Sequence, residues 1–415
     1  MRCNEEYFCF FGHAVIWVPG HPAPVSQWKK GGFIMSKALS LFVVCAVLLA
    51  AFVAPPALAA PPVKIGALFS ITGPASFLGE PERNTAQMVV DEINAAGGIK
   101  GRPLQLITYD TQGDATKAVQ AANRLIKEDK VSAIIGPSIT GDTMAIIPIV
   151  EKARIPLISC AAGIKITEPV KKWVFKTAQN DSLAVAKLYE FLQKRKTTRV
   201  AILTVSDSFG SSGREQLVKQ AKRYGVQIVS DDTYGPKDTD MTAQLTKVRG
   251  NQAQALVCWG TNPGPAVVAR NARQLGLKIP LYMSHGVSSK KFIELAGDAA
   301  NGIMLPSGRV LVAGLLPQSD KQKKSLMAFV TNYKKHFGTE GDHFGGHAWD
   351  AVMLLKGAIE RAGDSPAAIR DELEKTRNFS GIGGIFNFSP SDHAGLTKDA
   401  FVLVEVKKKN WALVK

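Results

Sequence analysis

Ile135-Gly136-Pro137-Ser138-Ile139-Thr140-Gly141-Asp142-Thr143 decides how this chain is read. A short β-branched run, Val131–Ile135, leads into it, and Met144–Ala153 follows with apolar residues at helical spacing. The segment is therefore a strand-to-helix turn. Such a turn gathers the unpaired N–H groups of a helix N-terminus, and Ser138, Thr140 and Thr143 add hydroxyls to them. None of these three is a charged base or an activated nucleophile, so the turn suits holding an anion without reacting with it. Asp142 reads as a cap of the helix that follows.

Outward from this loop, strands and helices alternate. Upstream lie strand Val63–Ser70, a turn at Ile71–Pro74, a helix over Glu82–Ala96 closed by Gly97-Gly98, strand Leu104–Tyr109 and helix Asp114–Asp129. Downstream, a helix to Arg154 leads to strand Pro156–Cys160. A second cycle follows an extended connection at Thr177–Asp181. It comprises helix Ser182–Arg195, strand Arg199–Val205, loop Ser206–Ser212, helix Gly213–Tyr224, strand Gln227–Asp231, helix Thr239–Arg249, strand Ala255–Trp259, loop Gly260–Gly264, helix Pro265–Leu275 and strand Pro280–Met283. Each cycle opens with a strand, then a loop carrying Phe and Gly (Phe77-Leu78-Gly79; Phe209-Gly210), so the chain reads as two similar doubly wound parallel-sheet α/β lobes. The remainder, with helices over Lys321–Phe337, Gly346–Ala362 and Ser365–Thr376, has too little strand for a third domain and is expected to complete both lobes through about three crossovers, one at Gly381–Gly384. The expected lobes are 60–178 with 308–382, and 179–307 with 383–415. Ligands bind open α/β sheets at the carboxyl ends of the strands, which places the site in a cleft between the lobes.

The composition narrows the function. A net charge of +16 and 46% hydrophobic residues fit a globular chain. The first 59 residues carry four basic and two acidic residues, leaving +14 on the rest, but the Lys/Arg clusters are scattered and lack interleaved aromatics. A nucleic-acid partner is not expected. From Met35, Ser36-Lys37, an apolar run Ala38–Ala54 and Pro55-Pro56-Ala57-Leu58-Ala59 form a signal peptide cleaved after Ala59; residues 1–34 read as a mis-called upstream start. The protein is then periplasmic. Beyond the signal, Cys160 and Cys258 sit in apolar runs and read as buried thiols.

No Gly-x-Gly-x-x-Gly follows the first strand, and neither a P-loop nor a Gly-x-Ser-x-Gly elbow occurs. No cofactor, metal or catalytic residue is expected. His343 and His347 are four apart, but the loop-like Phe344-Gly345-Gly346 between them brings no carboxylate, so they read as surface or helix-capping residues. His285 follows a strand at the expected cleft and is read either as a ligand contact or as a satisfied loop histidine. Phe77 and Phe209, on equivalent loops, either sandwich a ligand or pack those loops. Leu78, Ser138, Ile139 and Thr140 of the first lobe and Asn262 of the second complete this set of candidate contacts.

The chain resembles the type I periplasmic binding proteins, in their branched-chain amino acid (Leu/Ile/Val) binding branch. The resemblance is carried by Lys64-Ile65-Gly66, Thr72-Gly73-Pro74, Ile93–Gly101, Tyr109-Asp110-Thr111, Ile134–Pro137, Ile155–Ser159, Gln274–Leu277 and Phe344–Asp350. It implies a monomer that binds a small carboxylate-bearing ligand, an amino acid or an aromatic or aliphatic acid, by hinge closure and delivers it to the membrane permease of an ABC importer; the alternatives are a ligand-sensing receptor domain and an α/β enzyme. In that family hydroxyls and N–H groups of two lobe-one loops hold the ligand carboxylate, which falls here on Thr140 and on Ala161-Ala162-Gly163. Gly163 stands where threonine or serine is usual, so its contact would come from the backbone alone. His285 stands where the family places the acid that binds the ammonium. That replacement favours a ligand group that is uncharged or acidic, the more so if His285 is protonated, unless Asp142, Asp207 or another acid takes the missing role.

Overall fold

Residues 61–414 are described by a computed structural model; the expected upstream segment and signal peptide lie outside them. Val63–Phe69 (β1) pairs in parallel with Leu104–Asp110 (β2) on one side and Ala133–Ile135 (β3) on the other. Leu157–Ser159 (β4) and Val174–Lys176 (β5) extend this all-parallel sheet in the order β2-β1-β3-β4-β5. β1, β3, β4 and β5 are almost wholly buried because helices cover both faces, which is why they read as continuous apolar runs. Ser76–Ala95 (α1), Ala115–Arg124 (α2) and Thr140–Ala153 (α3) supply that cover.

Asp181–Lys194 (α4) opens the second lobe. Its sheet contains Arg199–Val205 (β6), Gln227–Tyr234 (β7), Ala255–Trp259 (β8), Leu281–Met283 (β9) and Met304–Gly308 (β10), with Ser208–Ala221 (α5), Thr242–Gly250 (α6), Gly264–Gln274 (α7) and Lys290–Ala296 (α8) between them. Lys323–Phe337 (α9), His343–Ala362 (α10) and Pro366–Glu374 (α11) follow, and α10 packs along α1 of the first lobe. After the short hairpin Phe379–Ser380 (β11) and Ile385–Phe386 (β12), Phe401–Lys407 (β13) and Asn410–Leu413 (β14) return to the second sheet, where they pair antiparallel. The sheet order is β14-β13-β10-β9-β8-β6-β7. The architecture is the two doubly wound lobes read from the alternation.

Three helices begin well before the expected residue. α1 begins at Ser76 and not Glu82, α5 at Ser208 and not Gly213, and α10 at His343 and not Gly346. The glycines that suggested loops serve close packing instead: a Cβ at Gly79 would overlap the backbone of Ser70, and one at Gly210 the carbonyl of Val205. In each lobe the first helical turn thus presses on the end of the strand before it. The final crossing is also displaced. Phe388 and His393 pack on Phe175 of β5, and the Lys176 N–H donates to His393 O, so the chain past Gly384 stays on the first sheet and enters the second only near Phe401. Cys160 and Cys258 are buried free thiols.

Candidate functional site

The carboxyl ends of the two sheets enclose a cavity of about 490 Å³ between the lobes. Leu78, Ser138, Ile139, Thr140, Ala161 and Ala162 line it from the first lobe, and Phe209, Asn262 and His285 from the second. The first turns of α1, α3, α5, α7 and α10 all reach its wall. Helix N-termini carry partial positive charge, so the cavity favours a negative ligand group, and the exposed Lys237 in its wall adds to that preference.

Thr140 is the first residue of α3, preceded by an extended Ile139 that offers no side-chain cap. The first-turn N–H groups are thereby left for a ligand. Thr140 Oγ1 accepts the Gly163 N–H at 3.3 Å and keeps its own proton to donate into the cavity. Its two neighbouring hydroxyls are already used: Ser138 donates to the buried Glu82 carboxylate and accepts the Ser70 N–H, while Thr143 bonds Ile139 O and Ser159. Gly163 is absent from the cavity wall, and its N–H is committed to Thr140. The reason for glycine there is steric, since a Cβ would overlap the Thr140 methyl. Ala162 is the free neighbour, with no partner for its N–H among the described residues.

Behind this loop the fully buried Lys176 ammonium donates to Ala162 O at 2.6 Å and to Asn180 Oδ1 at 2.8 Å. Burial pulls its pKa down, opposed by the attraction of Asp181; burial likewise pushes Asp181 up. Asp181 accepts the Ser212 hydroxyl, which in turn accepts the Ile164 N–H of the first lobe at 3.1 Å. Lys165–Glu215, at 2.9 Å, joins the lobes nearer the surface.

His285 is 3% exposed and makes edge contacts with Phe209, Trp259 and Phe401, at ring-centroid distances of 5.6, 5.7 and 5.3 Å. Neither ring nitrogen has a hydrogen-bond partner, and Nε2 lies 3.9 Å from Asp181 Oδ1. Burial holds the imidazole far below its ordinary pKa, so it is neutral at pH 7, against the protonated form considered from sequence. The acids that reach the cavity wall are occupied as helix caps: Asp114 accepts the Lys117 N–H and Asp207 the Gly210 N–H. Asp142 does not cap α3; it is buried within the first turn, where desolvation pushes its pKa up to about 6.

The two aromatic candidates part company. Phe209 lines the cavity, whereas Phe77 stands edge-on to Phe344 at 5.8 Å and Phe344 takes its place in the wall. His343 and His347 are not surface residues. Both are 2% exposed, their rings 4.4 Å apart, and both line the cavity. Their spacing was visible in the sequence, but the glycines between them hid the helix that Asp342 starts by accepting the Phe344 and Gly345 N–H groups. Among the described residues no cluster of three histidine, cysteine or acidic side chains is placed to hold a metal ion.

Residues 62–410 match the periplasmic binding protein family. The chain belongs to this family. It is 26% identical over 319 residues to the leucine-, isoleucine-, valine-, threonine- and alanine-binding protein of Pseudomonas aeruginosa, covering 76% of this chain and 83% of that one. An extracellular ligand-binding receptor from Rhodopseudomonas palustris has a similar structure, with a TM-score of 0.80 and 27% identity over 85% of this chain and 99% of that one. The branched-chain amino acid transporter substrate binding protein of Streptococcus pneumoniae, in complex with isoleucine, gives a TM-score of 0.76 with 26% identity, covering 84% and 97%. As a periplasmic binding protein the chain is a solute binder.

Proposed function

We propose that this periplasmic binding protein closes on a small carboxylate-bearing solute in the periplasm and presents it, as a monomer, to the membrane permease of an ABC importer. The observation that carries this reading is Thr140, whose hydroxyl accepts from Gly163 and so must donate outward, beside the uncapped N-terminus of α3. The first lobe holds the ligand, and the second adds contacts only on closure, which shifts the open–closed equilibrium by the difference in affinity. The ligand is an aromatic or aliphatic acid without an α-amine. At His285 an ammonium would meet a neutral imidazole, forgoing there a charge-assisted bond of roughly 1.5–3 kcal/mol.

The second reading is an amino acid, favoured by the names of the relatives and by Asp207, which reaches the cavity wall with one carboxylate oxygen to spare. A thermal-shift screen of amino acids against amine-free carboxylates separates them, since a ligand at about 100 times its Kd adds roughly 2.7 kcal/mol of stability. Shifts confined to amino acids refute the amine-free reading. Thr140→Ala is expected to weaken binding at least tenfold with the melting temperature of the unliganded protein little changed; unaltered affinity by calorimetry removes Thr140 from the site.

A further inference from the structure

The second-lobe wall and the N-terminus of α10 carry an unusual set of buried polar atoms. Both ring nitrogens of His285, both amide atoms of Asn262, Nε2 of His343 and Nδ1 of His347 have no hydrogen-bond partner in the protein. All four residues line the cavity, and none is more than 5% exposed. A buried polar group without a partner costs about 1–3 kcal/mol, and six such atoms fall on four residues of one cavity wall. They lie apart from the carboxylate grip, where Thr140 and Ser138 already have protein partners.

Building on the carboxylate-bearing reading, we propose that His285, Asn262, His343 and His347 form a distal subsite for a neutral hydroxyl group, so that the preferred ligand is a hydroxylated carboxylic acid. The chemistry of the set selects this group. A neutral imidazole presents one donor and one acceptor nitrogen, and a primary amide presents both kinds. A hydroxyl also gives and takes, so it can pair with either. A second carboxylate only accepts, and would leave the acceptor nitrogens and Asn262 Oδ1 facing like charge. An ammonium only donates and needs a compensating acid, and Asp181, the acid nearest His285, does not line the cavity: one of its oxygens accepts from Ser212 and the other, Oδ1, lies 3.9 Å from His285 Nε2. The rings of Phe209 and Phe344 in the same wall give the carbon skeleton between the two polar ends an apolar, partly aromatic seat.

Sites built to bond a hydroxyl discriminate strongly against the analogue that lacks it, because their own buried groups are left unpaired. The test is calorimetry of the mature protein with two matched pairs, 3-phenylpropanoate against 3-(4-hydroxyphenyl)propanoate and hexanoate against 6-hydroxyhexanoate, with leucine as the amino-acid control. In at least one pair the hydroxylated member is expected to bind at least tenfold more tightly. Asn262→Leu and, separately, His285→Phe are expected to bring the ratio of the two Kd values within a pair to within about threefold of one, whatever each variant does to the absolute affinities, with circular dichroism checking that each variant is folded. Equal or weaker binding of both hydroxylated members overturns the subsite and leaves the carboxylate reading standing, as does a preference that survives both substitutions. Binding of leucine alone overturns the amine-free reading and the subsite together.

Discussion

Gly163→Ala offers a sharp test of how the carboxylate grip is built. The backbone at 163 is ordinary, with φ −53° and ψ 132°, so alanine introduces no conformational strain. The new Cβ itself is the perturbation. It would stand 3.1 Å from Thr140 Oγ1 and 3.3 Å from Thr140 Cβ, and would overlap the Cγ2 methyl. Carbon atoms meet at about 3.5–4.0 Å, so the methyl must move by an ångström or more. Thr140 is 5% exposed and β-branched at the start of a helix, with few rotamers to move into. Overpacking of this kind costs about 1–3 kcal/mol of stability. Rotating the side chain away also removes its hydroxyl from the ligand, roughly 1.5–3 kcal/mol for a bond to a charged group, or about ten- to 150-fold in Kd. Calorimetry with the acid found in the thermal-shift screen, together with thermal unfolding, reads both effects. Thr140→Ser deletes the offending methyl and keeps the hydroxyl, so Gly163→Ala combined with Thr140→Ser should bind within about threefold of Thr140→Ser alone, a strong coupling for two neighbouring sites. If Gly163→Ala binds as the wild type does, or if serine brings no rescue, the account of Gly163 as the support of Thr140 is wrong.

Lys176→Met should cost about 1–3 kcal/mol in urea unfolding, because it leaves Ala162 O and Asn180 Oδ1 without their donor and removes the positive charge that attracts the buried Asp181. Adding Asp181→Asn should recover part of that loss, and a double variant no better than the single would show that Lys176 acts through those two oxygens alone. For His343, burial lowers the pKa to about 4, from an ordinary value of 6.5. A depressed folded-state pKa means stability that is complete above pH 6.5 and lost as the pH falls toward 4, by up to about 1.4 kcal/mol per pH unit. The wild type's stability margin over His343→Gln should therefore shrink between pH 7 and pH 5, and a margin constant over that range refutes the assignment.

The legible parts of this protein are those decided by neighbours in sequence. Ile135–Thr143 declares a strand end and a helix start within nine residues, and the carboxyl-end rule for parallel sheets then puts Thr140, Phe209 and His285 around one cavity, as the structure does. What escaped was decided by distant residues. Gly79, Gly210 and Gly345 look like breaks because the sequence cannot show the strand or helix that passes too close for a side chain. His343 and His347 were set aside for the same reason, since the helix that turns them inward begins among glycines. Lys176 reads as an ordinary strand-end lysine; only the Ala162 carbonyl and Asn180 amide closing around it reveal a buried cation. The charge state of His285 is the plainest case. It follows from aromatic rings on α5, β8 and β13, which come together only in the fold.

Those neutral imidazoles change what the cavity's electrostatics can recognise. The cavity draws its attraction for anions from backbone dipoles at the ends of five helices, with the exposed Lys237 at the second-lobe side of the wall adding a full positive charge. Dipoles fixed in a rigid scaffold cost no reorganisation when the ligand arrives. A zwitterion asks for a compensating anion at the opposite wall, where the structure supplies neutral groups that both give and accept hydrogen bonds. A single negative charge at Thr140 and a neutral polar group at His285 is the combination that leaves no charge unpaired when the lobes close.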